Sequence, residues 1–519
     1  MSKFCAAITA ALFICVTGSA VQAQDVTLTS RDGAVEISGN LLGFDGEFYR
    51  VDTIYGELTV DGSGVLCEGP GCPDLINFVA EARFSGAPVI GRILIPALLE
   101  AFGEKEGYSV KRAETDAENR SVYLLRDKVG GKLRGRIYFH LSNSDEGFAD
   151  LLANEADIVM TLREVREAEN SKALDAGVGE LRDRRRSRVL ALDALVPLVT
   201  SDNPVRSITT PRLAEVLSGR IDNWQDLGGP DAPIAVHLMA PETGLGQATE
   251  DRMLLEGGAF VPRAIRHNDT ASLVAAVERD PFALGVGSRS DTGRLRELAL
   301  SGECGFAMVA SRRGVKTEDY PLTTPIFLYS PARRFPRLIR EFLAFTSTAA
   351  AQLVVRRAGY VDQLPEEIEI DAQGDRFANA VLRAGDDVQL DDLQQMIRVL
   401  TPLRRLTTTF RFEPGSARLD AQSRSNVTQL AQALEGGLYD TRRLVFVGFS
   451  DGDGPANINR QIARKRAAAV RDAVLAAAET VNLSRLTVET KAFGEAMPMA
   501  CDDSEWGRRA NRRVEIWVR

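Results

Sequence analysis

Two charged residues near the C-terminus have the types and the spacing to hold a small zwitterion. Asp451 ends a run of apolar, β-favouring residues at 444–449, and Arg466 lies 15 residues later in a segment that predicts a helix. A carboxylate pairs with an ammonium group, whereas the planar guanidinium of arginine binds a carboxylate at two points. The pattern therefore predicts a ligand-binding site.

The same stretch also contains the pattern of a hydrolase nucleophile elbow, Gly-x-Ser-x-Gly, at 448–452. In that arrangement the catalytic histidine follows the serine, but His140, His237 and His267 all precede Ser450. The sequence offers no cluster of His, Cys or carboxylate residues suited to a metal or to acid–base work. We therefore predict no enzyme, no metal site and no cofactor.

Two spaced blocks around these residues resemble the peptidoglycan-binding OmpA-like domain. The first block comprises Ser450-Asp451, Gly454, Asn459, Ile462-Ala463 and Arg466-Ala467, and the second comprises Gly494-Glu495, Pro498, Gly507-Arg508 and Asn511-Arg512-Arg513-Val514-Glu515. Phe449 and Ser450 replace the usual His-Thr, and the likeness spans about 405–519.

The OmpA-like resemblance implies that the ligand is the diaminopimelate of the peptidoglycan stem peptide. It places Ser450, Asp451, Asn459 and Arg466 in the site, with Arg466 on the ligand carboxylate and Asp451 on its amine-bearing end. Asn459 either contacts the ligand or supports the loop. Arg512 and Arg513 are expected to fix the end of the fold, with ligand contact as the alternative.

The region from about 80 to 365 alternates short strands with amphipathic helices, which is typical of an α/β domain. Its residues Asn203-Pro204, Ser218-Gly219 and Asn223-Trp224-Gln225-Asp226-Leu227-Gly228-Gly229 resemble the phosphate-type periplasmic substrate-binding proteins of ABC transporters. The resemblance implies a two-lobed fold that closes on a hinge, with a ligand cleft between the lobes.

The three turns that would hold phosphate in this cleft depart from the family pattern. The stretch 86–91 lacks both usual hydroxyls, 143–148 has gained two carboxylates, and 239–245 lacks the usual arginine. The cleft candidates that remain are Ser144, Asp157, Arg163 and Thr243. Their alternatives are structural: a strand-end carboxylate for Asp157, a simple turn for Thr243, and a salt bridge with Asp157 for Arg163. We expect no tight phosphate binding, because each lost charge-assisted bond contributes roughly 1.5–3 kcal/mol.

The chain begins with a pattern typical of a secretory signal, in which Lys3 precedes an apolar run and small residues end at Ala23. No later apolar stretch approaches the roughly 20 residues of a membrane span. In an oxidising compartment Cys67 and Cys72 are expected to form a local disulfide. Cys304 and Cys501 are either buried thiols or an inter-domain bridge.

The fold class expected is multidomain: a small β module, a two-lobed α/β periplasmic-binding-protein fold, and an α/β sandwich of OmpA type. The predicted boundaries are a signal peptide at 1–23, a β-meander at 24–77, a substrate-binding-protein-like domain at 78–368, a linker and helix at 369–404, and the OmpA-like domain at 405–519. The acidic stretch 366–375 is expected to be loose.

The net charge of −9 argues against a nucleic-acid partner. The acidic excess lies upstream of the C-terminal domain. Residues 405–519 hold 18 Lys and Arg against 14 Asp and Glu, so this domain is modestly basic. We predict a non-catalytic periplasmic protein, associated with the cell wall or outer membrane, that binds peptidoglycan and takes a small anion or an envelope protein as a further partner. The alternative is a phosphate-binding or other solute-binding subunit of an ABC transporter that is tethered to the wall.

Overall fold

The computed structural model describes residues 25–519 apart from 114, 116, 118, 255–257, 302–306, 386, 414, 415, 417, 503 and 504. The predicted signal peptide and Cys304 lie outside the described residues. Cys501 is disulfide-bonded.

The N-terminal module is a five-stranded antiparallel sheet in the order β4-β3-β2-β1-β5. Its strands are β1 (Val26–Ser30), β2 (Glu36–Phe44), β3 (Phe48–Thr53), β4 (Gly56–Asp61) and β5 (Val65–Glu68). Val26, Leu28, Tyr49 and Val51 form its small core. The predicted Cys67–Cys72 disulfide is confirmed, with the two Cα atoms 5.9 Å apart.

The central domain alternates strands and helices as predicted. Its strands are β6 (Ala80–Gly86), β7 (Tyr108–Ala113), β8 (Arg120–Asp127), β9 (Leu133–Leu141), β10 (Ile158–Thr161), β11 (Ser187–Val199), β12 (Ser207–Thr209), β13 (Ala235–Met239), β14 (Ile265–His267), β15 (Ala283–Ser288), β16 (Arg296–Glu297), β17 (Ala299–Ser301) and β18 (Thr323–Tyr329). Its helices are α1 (Ile95–Glu106), α2 (Ser144–Leu152), α3 (Glu167–Asp175), α4 (Thr210–Ser218), α5 (Gly244–Met253), α6 (Thr270–Arg279), α7 (Arg312–Lys316), α8 (Arg337–Phe345) and α9 (Ala349–Arg357). Among the described residues no single helix has the length and apolar composition to span a membrane, and only the bent pair α8 and α9 meets that test jointly.

The long strand β11 joins the two lobes of the central domain. Its first part, Ser187–Ala194, pairs with β18, and its second part, Leu195–Leu198, pairs with β15. Lobe one contains β6 to β10 and β18, and lobe two contains β12 to β17. The predicted two-lobed α/β fold is therefore confirmed.

The C-terminal domain is built on a five-stranded sheet in the order β19-β20-β23-β21-β22. Its strands are β19 (Glu367–Ile368), β20 (Arg404–Arg411), β21 (Arg443–Phe449), β22 (Thr487–Gly494) and β23 (Arg513–Val518). Its helices are α10 (Gly374–Leu382), α11 (Leu390–Leu400), α12 (Ala421–Glu435), α13 (Ala456–Ala477) and α14 (Glu505–Asn511).

Helices cover both faces of this sheet. Leu430 of α12 and Val470 of α13 pack with Phe446 on one face. Leu393 and Met396 of α11 pack with Trp517 on the other face. The expectation of a loose acidic segment at 366–375 is wrong: β19 pairs with β20 there, and α10 starts at Gly374 because its apolar residues can be buried on the sheet.

A buried ion-pair cluster joins the central and C-terminal domains. Arg405 donates to both carboxylate oxygens of Asp319, at 2.6 and 3.0 Å, and lies 3.4 Å from Glu515. Arg513 donates to Glu515 at 2.7 Å, and Arg376 also pairs with it. Arg405, Arg513 and Glu515 are at most 1% exposed. Burial by itself would raise the pKa of Glu515, but the three arginines hold it far below its ordinary range.

The C-terminal domain contacts both lobes of the central domain. In lobe one, Glu164 accepts a hydrogen bond at 3.3 Å from the main-chain amide of Ala421, at the start of α12. In lobe two, Met308 packs against the apolar cluster of Met499, Ala500 and Ala510. The C-terminal domain is therefore packed against both lobes.

We predict that Arg405→Met destabilises the C-terminal domain by about 3–5 kcal/mol, because removing one partner of a buried ion cluster leaves carboxylates unpaired. Trp517 reports on this transition directly, since its Nε1 donates to Glu515 at 3.1 Å. Arg404→Met is the matched control: Arg404 is 50% exposed, and a surface pair contributes about 0–1 kcal/mol. Equal unfolding midpoints for the two variants in urea, followed by tryptophan fluorescence, would contradict the role given to the cluster.

Candidate functional site

The loop that carries Ser450 and Asp451 begins where a fully buried strand ends. β21 lies between β23 and β22 with helices on both faces, so its side chains are buried in an uninterrupted row up to Phe449. The main-chain amide of Ser450 donates to the carbonyl of Gly494 at 2.9 Å, which sets the loop beside the end of β22. Gly454 has a φ of 89°, a conformation that favours glycine, and turns the chain into α13.

Asn459 ties this loop to the neighbouring strand end. Its side chain is 2% exposed, and its Nδ2 donates to the carbonyl of Gly454 at 3.2 Å and to Glu495 at 2.6 Å. These contacts correspond to the supporting role that was one of the two alternatives for Asn459.

Asp451 lies against the residues that precede β23. Arg512 donates to its Oδ2 at 3.2 Å and also pairs with Glu505 of α14. Burial raises the pKa of Asp451 above its ordinary value of 3.8; Asp502 adds to the rise, while Arg512 and Arg466 oppose it. A carboxylate held in this way is stabilised by a further cationic group, such as the ammonium of a ligand.

Arg466 lies on α13 near enough to Asp451 for the two charges to interact, without forming a direct ion pair with it. Burial lowers the pKa of Arg466, while the charge of Asp451 raises it, so the two groups interact electrostatically. The guanidinium lies over the ring of Phe412, 5.2 Å from its centroid. Within the described part of the chain no hydrogen bond holds this guanidinium, so its N–H donors are available to a ligand.

Ser450 is buried beside Asp451, and its hydroxyl lacks a protein partner. The side chain is 3% exposed, and its Oγ forms no hydrogen bond to any described residue. A buried hydroxyl of this kind calls for an explanation, and ligand contact is one. The structure thus brings the four predicted residues of this domain into one region.

Sequence reasoning missed two carboxylates that border this region. Glu495 holds Asn459, and Asp502 accepts a hydrogen bond at 2.7 Å from the main-chain amide of Gly452. Glu495 could have been found from the sequence, since Gly494-Glu495 belongs to the second of the two blocks that resemble the OmpA-like domain. Asp502 could not, because it lies in a loop without periodic pattern.

The three altered turns of the central domain converge between the lobes. Ala87 follows β6, Ser144 begins α2 and Gly244 begins α5. A Cβ placed on Gly244 would lie 3.0 Å from the Cβ of Ala87, 3.6 Å from Leu162 and 3.7 Å from the Oγ of Ser144. Ala87 and Ser144 are fully buried, so these turns meet in contact with each other.

Arg163 lies beside this meeting point, but carboxylates of the chain occupy its guanidinium. It donates to Glu169 at 2.6 and 2.9 Å and pairs with Asp145, which also accepts from Arg166 at 3.1 Å. Asp145 is in the first turn of α2, where the free amides and the helix dipole favour an anion. One of the two added carboxylates thus lies in the first turn of this helix and is paired with Arg163.

Thr243 and Asp157 have structural partners. The hydroxyl of Thr243 caps α5 by accepting from the amide of Gly246 at 3.0 Å, and it donates to the carbonyl of Ala240 at 2.7 Å. Asp157 precedes β10, at the opposite end of that strand from Arg163, and pairs with Arg83 at 2.9 Å and with Arg333. The structure therefore brings Ser144, Arg163 and Thr243 to the cleft, and places Asp157 away from it.

Comparisons with known proteins agree with these two domains. Residues 411–512 match the OmpA family. Protein SphX of Synechococcus elongatus is 26% identical over 271 residues, which are 49% of this chain and 78% of that protein. The phosphate-binding protein PstS of Staphylococcus haemolyticus is 21% identical over 246 residues, 44% of this chain and 75% of that protein. A solved peptidoglycan-associated lipoprotein from Burkholderia pseudomallei is 25% identical and covers 21% of this chain and 89% of its own, with a TM-score of 0.19.

Residues 80–349 match the PBP superfamily domain, and they make up more than half of the 519 residues. The chain therefore belongs to the PBP (periplasmic-binding-protein) superfamily and carries a C-terminal OmpA-family domain.

Proposed function

We propose that this chain is a non-catalytic periplasmic protein that is anchored to peptidoglycan by its C-terminal domain and presents its central domain at the cell wall. The observation that carries the proposal is the arrangement of Asp451 and Arg466. These opposite charges are partly buried and interact electrostatically without a direct ion pair, and Arg466 has no hydrogen bond within the described part of the chain. A ligand with an ammonium and a carboxylate on one carbon satisfies both.

Diaminopimelate of the stem peptide has this chemistry. Its free end bears an ammonium group for Asp451 and a carboxylate for the fork of Arg466, in a region where partial burial strengthens both interactions. Ser450 supplies a hydroxyl that has no hydrogen-bond partner among the described residues, and Arg512 supplies a second cation beside Asp451. Asn459 and Glu495 hold the loop that positions these groups.

We further propose that the cleft of the central domain has lost phosphate binding. Support comes from Arg163, whose donors already reach Asp145 and Glu169, and from the packing of Gly244 close to Ala87. Arg166 and Asp251 add an ion pair between the lobes at 3.0 Å. The central domain then acts as a closed scaffold for a different ligand or an envelope protein.

Solute capture for an ABC transporter is the second candidate, and the name of the PstS relative favours it. In that case the C-terminal domain only tethers a working receptor. The two candidates differ in one measurable property, which is the affinity of the central domain for inorganic phosphate.

We predict that Asp451→Asn and Arg466→Ala each weaken co-sedimentation with purified peptidoglycan by about 10- to 100-fold, because a charge-assisted hydrogen bond contributes about 1.5–3 kcal/mol. The matched controls are Asp453→Asn in the same loop and Lys465→Ala on the same helix, both at exposed positions. The controls should pellet like wild type. Equal pelleting of all four variants would exclude Asp451 and Arg466 as the ligand contacts.

Binding to peptidoglycan should weaken on acidification, starting above the pH at which an ordinary aspartate titrates. The ammonium of the ligand pairs with ionised Asp451, and burial has raised the pKa of this group above 3.8, so protonation removes the contact at a higher pH. The pH dependence is measured by pelleting wild type and Asp453→Asn in parallel, with Asp451→Asn as the variant that lacks the titrating group. An Asp451→Asn curve parallel to wild type would show that another group is responsible.

Titration of the protein with inorganic phosphate should give no heat of tight binding. The reason is that Arg163 is held by two carboxylates and Asp145 already stands at the start of α2. Isothermal calorimetry with about 1 mM phosphate detects any dissociation constant in the micromolar range typical of small-ligand receptors. Saturable micromolar binding would support the solute-capture candidate.

A further inference from the structure

A basic groove lies next to the Asp451 region on the C-terminal domain. It encloses about 220 Å³ and is lined by Asp392 and Gln395 of α11, by Arg460 and Arg464 of α13, and by Thr490, Lys491, Ala492 and Phe493 of β22. Three cations and one carboxylate line it, so the groove carries a net positive charge.

The cations of the groove differ in how they are held. Arg460 is fixed against the wall by Asp392 at 2.6 Å. Arg464 is exposed, and no described residue forms a hydrogen bond or ion pair with it. Lys491 is 41% exposed and forms a long ion pair with Glu489, at 3.8 Å. Arg464 and Lys491 therefore have donors that an anion can reach.

The groove and the Asp451 region share the same two elements. On α13, Arg460 and Arg464 are four residues apart on one face, while Asn459 and Arg466, seven apart, share another. On the other side, β22 runs from the groove into Gly494 and Glu495, and a Cβ on Gly494 would lie 3.2 Å from the amide of Arg460. Lys491 precedes Gly494, the last residue of β22, by three residues, about 10 Å of extended strand. An extended peptide of about three residues covers that distance.

One wall of the groove comes from outside the matched OmpA range. Helix α11 (Leu390–Leu400) precedes residues 411–512, yet it supplies Asp392, which orients Arg460. The packing of α11 on the sheet therefore creates one side of the groove.

We propose that this groove binds a second carboxylate of the same stem peptide whose diaminopimelate occupies the Asp451 region. The inference rests on the proposed function, because the anchor at Asp451 and Arg466 fixes where the rest of the peptide runs. Arg464 and Lys491 contact the carboxylate, and Arg460 lines the groove. The chain thus recognises a peptide with a second acidic group in preference to the free amino acid.

The test compares two defined probes on the mature full-length chain: free meso-diaminopimelate and the tripeptide L-Ala-D-Glu-diaminopimelate. Dissociation constants are measured by calorimetry for wild type, for the double variant Arg464→Ala/Lys491→Ala, and for Lys465→Ala as a control at an exposed neighbouring position. Wild type should bind the tripeptide more tightly than the amino acid. The affinity of the double variant for the tripeptide should be about tenfold lower than that of wild type, because the variant lacks exposed charge-assisted contacts. Its affinity for free diaminopimelate should be unchanged.

Each of the other possible results contradicts a specific part of the proposal. Wild-type tripeptide affinity in the double variant removes the groove from the site and leaves the Asp451 anchor standing. An equal loss for both probes shows that the substitutions act through the Asp451 region, which also rules out the groove. Binding of neither probe by wild type overturns the proposed function and the groove with it. The double variant Arg464→Lys/Lys491→Arg, which keeps the charges, should restore tripeptide binding if charge is the cause.

Discussion

The interaction on which the arrangement of this molecule depends is the buried cluster around Glu515. Three arginines, Arg376, Arg405 and Arg513, neutralise one fully buried carboxylate, and Arg405 extends the cluster to Asp319 of the central domain. The depressed pKa of Glu515 means that its stabilising contribution is present above the ordinary pKa of about 4.5 and is lost only as the pH falls through the lower folded value. A charged cluster of this kind specifies one geometry, because any displacement leaves a buried charge unpaired.

This fixed geometry connects the two candidate sites. Arg513 of the cluster follows Arg512, which contacts Asp451, and α14 between Asp502 and Arg512 packs through Ala510 toward Met308 of lobe two. The ligand loop of the C-terminal domain is therefore built on the same segment that holds the central domain. Under the proposed wall attachment, this packing would present the central domain at a defined orientation, which suits a scaffold better than a receptor that must open and close.

The apolar patterns of the sequence predicted the elements well. The run at 444–449 forms β21, and the helix predicted around Arg466 is the middle of α13. Asp451 and Arg466 could be predicted to lie close together because a strand end and the following helix are neighbours, whereas Ser450 and Asn459 were added only by the OmpA-like resemblance. The local Cys67–Cys72 bridge was predictable because only four residues separate the two cysteines.

The contacts between distant segments were beyond sequence reasoning. Arg405 and Glu515 look like surface residues in sequence, and only the packing of β20 beside β23 buries them together. The stretch before α10 is acidic, which suggested a loose connection. Its polar residues obscured the apolar face with which α10 and α11 pack on the sheet. For Asp157, the sequence left a ligand role open; the structure shows arginines from two distant segments around it. The contact of Asp502 with the amide of Gly452 could not be predicted, because it depends on how two separate loops pack together.

The most direct measurement of the central claim is a crystal structure of the mature chain with meso-diaminopimelate. The account predicts density for the ligand between Asp451 and Arg466, with its ammonium on the carboxylate of Asp451 and its carboxylate on the guanidinium of Arg466. A ligand bound in the cleft beside Ser144 and Arg163, with the Asp451 region unchanged, would contradict it.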